Sequence, residues 1–123
     1  MSRPTELTTR FGAVAVLAMA VGLAACSSTG QASSSPVATG RVDMPRSYRF
    51  SPADITVPAG TMVTWTNGDQ FTHSVRLADG GTDLVVRPGE STTYVFTSPG
   101  LYRYTCTFHS NDMNGSVLVT DAR

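Results

Sequence analysis

Turn-forming clusters recur throughout residues 40–120 of this chain, and no amphipathic helix of useful length is visible between them. Pro58-Ala59-Gly60, Asp79-Gly80-Gly81, Arg87-Pro88-Gly89-Glu90 and Ser98-Pro99-Gly100 all suit tight turns, because proline presets φ and glycine tolerates positive φ. The runs between them are short and rich in Val, Thr, Tyr and Phe, side chains that pack well on a pleated surface. Strands are expected near 41–44, 47–50, 54–57, 61–66, 72–77, 83–87, 91–96, 100–106 and 115–120. This spacing predicts an all-β fold, a Greek-key β-sandwich of about eight strands, and argues against a βαβ fold.

Alternation along a strand says which side chains face the core. Val63 and Trp65 share one face while Thr64 and Thr66 take the other; Tyr94 and Phe96 oppose Val95. In 72–77 the residues His73, Val75 and Leu77 are expected inward, with Ser74 and Arg76 outward. In 100–106 the same logic turns Tyr102, Tyr104 and Cys106 inward and leaves Leu101, Arg103 and Thr105 outside.

At 123 residues the chain has room for one folded domain. Its nine basic residues are all arginine and are balanced by nine acids, so no polyelectrolyte surface for gripping nucleic acid is expected. Residues 1–25 read as an export signal, with Arg3 and Arg10 ahead of an apolar run from Phe11 to Leu23 that is too short to span a bilayer. The string Leu23-Ala24-Ala25-Cys26 resembles the lipobox of bacterial lipoproteins, which implies that Cys26 becomes the lipidated first residue of an exported, membrane-anchored protein. No twin-arginine pair appears, so ordinary Sec export is expected. Residues 26–39 are poor in large apolar groups and are expected to form a disordered tether, with the folded domain spanning 40–123.

If Cys26 carries lipid, Cys106 is a lone thiol in an oxidising compartment, where a free thiol survives best when buried or bound to metal. The only two histidines of the chain, His73 and His109, and the thioether of Met113 complete a set of two imidazoles, one thiolate and one weak sulfur. That set suits copper in both Cu(I) and Cu(II) states. Cys106, His109 and Met113 come from one short loop with few adjustable torsions, while His73 comes from a separate strand and ties the loop to the sandwich.

At these residues the sequence resembles the cupredoxins, and among them the plastocyanin, pseudoazurin and amicyanin group of blue copper proteins. The likeness covers most of 40–123. It includes Ile55-Thr56-Val57-Pro58-Ala59-Gly60-Thr61, Val63-Thr64-Trp65-Thr66-Asn67, His73-Ser74-Val75, Tyr104-Thr105-Cys106-Thr107 and Met113-Asn114-Gly115. The resemblance implies one copper ion held by His73, Cys106, His109 and Met113, with His109 as the exposed electron port. It also implies that Ser74, Thr107 and Asn67 brace the ligands through hydrogen bonds. Phe108 stands where the family often has proline, and the four-residue step from His109 to Met113 lies between the shorter amicyanin-like and longer plastocyanin-like loops. Ser110, Asn111 and Asp112 make the loop polar.

The function implied is one-electron transfer between donor and acceptor proteins by a monomer, outside the cytoplasm and without catalysis of a chemical reaction. Copper buffering or delivery is the alternative; Met44, Met62 and Met113 are dispersed and form no methionine tract that would favour it. A metal-free interaction module is a third class, which tight copper binding would remove. Zinc suits the set less well, since a structural zinc site takes four strong ligands and thioether is a poor one. Asp79-Gly80-Gly81 lacks the spaced carboxylates of a calcium loop. Asn67-Gly68 reads either as a hairpin turn or as the start of the loop to His73.

Overall fold

The computed structural model describes residues 34–122 together with Gly12, so the rest of the expected signal segment, the expected lipidation site Cys26 and the first part of the expected tether lie outside the described residues. Nine strands form two sheets, and no helix occurs among the described residues. They are β1 (Val37–Ala38), β2 (Arg41–Met44), β3 (Asp54–Pro58), β4 (Thr61–Asn67), β5 (His73–Leu77), β6 (Asp83–Val86), β7 (Ser91–Phe96), β8 (Gly100–Thr105) and β9 (Asn114–Thr120). One sheet runs in the order β1-β3-β9-β8-β5-β6 and the other β2-β4-β7. The all-β sandwich is therefore as expected. Three pairs within it are parallel, β1 with β3, β3 with β9 and β2 with β4.

The core follows the alternation. Val63, Trp65, Val75, Leu77 and Phe96 are buried, whereas Arg76, Val95, Leu101 and Arg103 are exposed. Ile55 sits opposite Val117 and Val57 opposite Val119 in the parallel ladder, all four buried. Each such side chain removed from water contributes about 1.5–3 kcal/mol before the entropy of ordering is subtracted. Trp65 lies edge-on to Tyr104 with ring centroids 5.5 Å apart, and Tyr104 in turn packs edge-on against Phe50 at 4.8 Å. This aromatic stack fills the layer beneath the loop end of the sandwich.

Three local expectations need correction. Residues 47–50 form no strand: Ser47 and Tyr48 have φ of +91° and +51°, values outside the β region, so the segment cannot join a ladder. It belongs to a loop closed by Asp43 and Ser51, which exchange both backbone hydrogen bonds at 2.8 Å. The paired backbone also begins earlier than Gly40, because Val37 and Ala38 add a parallel edge to β3. Ser74, assigned outward by alternation, is completely buried: it does face away from the core, but the chain after Cys106 covers it.

Candidate metal centre

Two neighbouring segments converge at one end of the larger sheet. β5 and β8 pair only through Arg76 with Thr105 and Leu77 with Tyr104. Beyond Thr105 the backbone ladder gives way to side-chain bonds. The Ser74 hydroxyl accepts from the Thr107 amide at 2.8 Å and donates to the Thr107 hydroxyl at 3.0 Å, which donates onward to Asp83 Oδ2 at 2.9 Å. The Ser74 amide points at Cys106 Sγ, 3.4 Å away. Strand β5 thus delivers His73 inward while its next residue anchors the loop that carries Cys106.

That loop is tightly closed. The His109 carbonyl accepts from the amides of Asp112 and Met113 at 3.0 and 2.9 Å, and the Met113 carbonyl accepts from the Cys106 amide and the Thr105 hydroxyl, both at 3.0 Å. Met113 is fully buried. Two residues later, Gly115 is required by close packing, since a Cβ there would overlap the Ala53 carbonyl and the Tyr104 ring.

The result is a cluster of His73, Cys106 and His109 whose donor atoms all lie within 4.8 Å of one another. Cys106 Sγ is 3.8 Å from His73 Nδ1 and 3.7 Å from His109 Nδ1. Cys106 is a free, buried thiol. One thiol proton can serve only one of two imidazoles, so the near-equal distances are not those of a simple S–H···N pair. A first-row ion with bonds of about 2.0 Å to nitrogen and 2.3 Å to sulfur, opened to about 120°, separates nitrogen and sulfur by roughly 3.7 Å. The donor set fits such an ion.

Asp69 and Tyr48 join the site without having been singled out in the sequence. Asp69 Oδ2 lies 3.0 Å from His73 Nε2, and both side chains are buried. A carboxylate can only accept, so the ring nitrogen facing it carries a proton, and Nδ1 is the nitrogen turned toward Cys106. Burial alone pushes the Asp69 carboxyl up. The hydrogen bonds from His73 and the Gln70 amide, with the charges of His73 and Arg46, outweigh it and hold the group below the ordinary aspartate range. Tyr48, from the 45–50 loop, lies over His109 with ring centroids 4.3 Å apart and planes at 33°.

Among the described residues, Asn67 makes no hydrogen bond to either histidine or to Cys106. Its side-chain NH2 donates to the carbonyls of Phe71 and Val86 at 2.8 and 2.9 Å, and its Oδ1 accepts from the Asp69 amide at 2.8 Å. It holds the loop from β4 to β5 in the shape that brings Asp69 to His73. Asn67-Gly68 is therefore part of that loop and no hairpin turn, while Asp79 caps its own turn by accepting from the amides of Gly81 and Thr82. An acidic residue four places before a histidine in a loop gives no sequence pattern that would have revealed Asp69.

The chain belongs to the cupredoxin-like domain family, whose pattern matches residues 14–119. It is similar to the chloroplastic plastocyanin of Tetradesmus obliquus, 35% identical over an alignment of 83 residues, with 57% of this chain and 57% of that one covered. It is also similar to amicyanin-alpha of Methylorubrum extorquens, 32% identical over 77 residues, 58% of this chain and 64% of that one. The chain thus spans less than two thirds of the length of either relative. Among solved structures, a purple cupredoxin from Nitrosopumilus maritimus aligns with a TM-score of 0.57 at 29% identity, covering 65% of this chain and 98% of that one. The Cu(I) form of an amicyanin mutant aligns at 0.59 and 29%, covering 68% and 86%. Family and donor set together imply one copper ion as the cofactor.

Proposed function

We propose that this protein is a one-electron carrier in which His73 Nδ1, Cys106 Sγ, His109 Nδ1 and the Met113 thioether hold the copper ion. When bound, that ion supplies reversible Cu(I)/Cu(II) chemistry. The observation that carries the reading is the placement of two imidazole nitrogens at 3.8 and 3.7 Å from a single buried sulfur.

The residues around the site do the rest of the work. Asp69 fixes the His73 tautomer, the Ser74 amide points a partial positive charge at the Cys106 sulfur, and the Ser74–Thr107–Asp83 chain locks the loop to β6. Ligands held this firmly move little when the charge at the centre changes, which keeps the barrier to electron transfer low. His73 is sealed, whereas His109 is partly exposed, so electrons pass to donor and acceptor proteins through the His109 side. No substrate is transformed. The lipobox-like segment supports export and anchoring through Cys26, on a tether that presents the domain as a monomer to its redox partners.

The test is the visible and paramagnetic spectrum of the purified chain after Cu(II) addition, followed by ascorbate and reoxidation. An intense thiolate-to-copper band that bleaches and returns over repeated cycles, with the ion retained, is the expected result. Loss of the ion to a copper-free acceptor on reduction would favour buffering or delivery instead. A chain that stays colourless would remove both.

A further inference from the structure

The 45–50 loop has no part in the sandwich ladders, yet it is built to a definite shape. Its base is the Asp43–Ser51 bridge, and its flanks are pinned by Met44 and Phe50, both buried. At its tip Ser47 and Tyr48 adopt positive φ, 91° and 51°. Bulky residues avoid that region, and they persist there only where the surroundings over-determine them. The product of this arrangement is one contact, the Tyr48 ring laid over His109 at 4.3 Å. Its other ring contacts are more distant, 5.7 Å to Phe71 and an edge contact at 6.3 Å to His73.

His109 has need of such a contact. The far nitrogen of His73 is held by Asp69, but among the described residues the only hydrogen-bond partner of the His109 ring is Cys106 Sγ, through Nδ1. A ring fixed at one nitrogen can still swing about its side-chain bonds. The Tyr48 hydroxyl makes no hydrogen bond among the described residues, so its ring, and not its polar tip, defines the contact. We infer that Tyr48 is a positioning residue for His109, its stacked ring replacing the hydrogen bond that orients the other histidine. The inference rests on the copper reading above.

The experiment uses the full chain and three variants, Tyr48→Phe, Tyr48→Leu and Tyr48→Asn. Asparagine tolerates the positive φ, so it removes the ring without added backbone strain. In copper-free protein, NMR of wild type and Tyr48→Phe should show His109 ring protons displaced by the ring current of residue 48, and the two ringless variants should lose that displacement. After loading and reduction, transfer of Cu(I) to a chelator should run about tenfold faster in the ringless variants, the lower end of what supporting residues are worth, and within about twofold of wild type in Tyr48→Phe. Absence of the displacement in wild type, equal release from ringless and wild-type proteins, or release from Tyr48→Phe as fast as from Tyr48→Asn would each overturn the inference while leaving the copper reading intact. A wild-type chain that takes up no copper would overturn both.

Discussion

His73 and His109 present the same nitrogen to the same sulfur from opposite environments. His73 sits on β5, a strand paired on both sides, is fully buried, and is braced by a carboxylate 3.0 Å from its far nitrogen. His109 sits on a loop at the surface, and an aromatic ring covers it. The sheet secures one ligand through polar bonds that burial makes costly to lose, and the loop secures the other through a stack that leaves an edge near solvent. The proposed carrier role would use both: a rigid interior wall and an accessible exit.

The largest expected difference lies in the copper-free protein. His73→Ala and His109→Ala should abolish the blue spectrum equally, since each removes a strong donor. Their effects on folding should diverge. His73→Ala empties a core position and strips the hydrogen bond from Asp69, so apo stability should fall by about 2–4 kcal/mol. His109→Ala should cost about 0.5–1 kcal/mol, most of it the lost stack with Tyr48. Urea unfolding of the two apo variants decides; equal losses would mean that the buried and exposed halves of the site are not distinct in energy.

Asp69→Asn sharpens the same contrast. The amide keeps an acceptor beside His73 but removes a buried negative charge that favours Cu(II) over Cu(I). We expect the ratio of Cu(II) to Cu(I) affinity to fall by about tenfold, a rise of about 59 mV in reduction potential. The pH dependence of the apo protein follows from the same carboxyl. Its folded pKa is depressed, so the stability it contributes is present in full above the ordinary aspartate pKa and is lost as pH falls through the folded value. Asp69→Asn should therefore flatten the acid limb of a stability-versus-pH curve. A variant with unchanged potential and an unchanged acid limb would leave Asp69 as packing alone.

Much of His73's setting was legible in the sequence. Alternation placed Val75 and Leu77 inward with it, and the short loop holding Cys106, His109 and Met113 stood out because few residues of these types exist in the chain. Its supports were not legible. Asp69 reaches His73 only because Asn67 folds the intervening loop, and Asn67 does so with bonds to Phe71 and Val86, the latter 19 residues away. Tyr48 lay in a run rich enough in aromatics to read as a strand, and only its positive φ shows why it is none. Periodicity reports what a regular backbone does with side chains; the braces of this site sit on backbone that is not regular.

Ser74→Ala tests how the two histidine-bearing segments are joined. The buried Ser74 hydroxyl holds the Thr107 amide at 2.8 Å and the Thr107 side chain at 3.0 Å in a partly buried setting, so its loss should cost about 1–2 kcal/mol of apo stability. Faster amide exchange at Thr107, with exchange in β3 and β9 unchanged, would localise the effect to the junction. Unchanged exchange at Thr107 would show that the loop closes on its own bonds through Met113.

Asp112 gives the smallest effect and the cleanest contrast with Asp69. Both are carboxylates near the ligands, but Asp112 lies exposed on the loop between His109 and Met113, where water and salt screen it. Asp112→Asn should raise the reduction potential, since it too removes negative charge that favours Cu(II), by a smaller amount than Asp69→Asn. Salt separates the two. At about 1 M ionic strength the screening length is about 3 Å, so the Asp112 effect should largely vanish while the buried Asp69 effect persists. Voltammetry of both variants in low and high salt reads this directly. A potential that falls in Asp112→Asn, or salt sensitivity shared equally by the two variants, would mean that burial does not divide the site as its two histidines suggest.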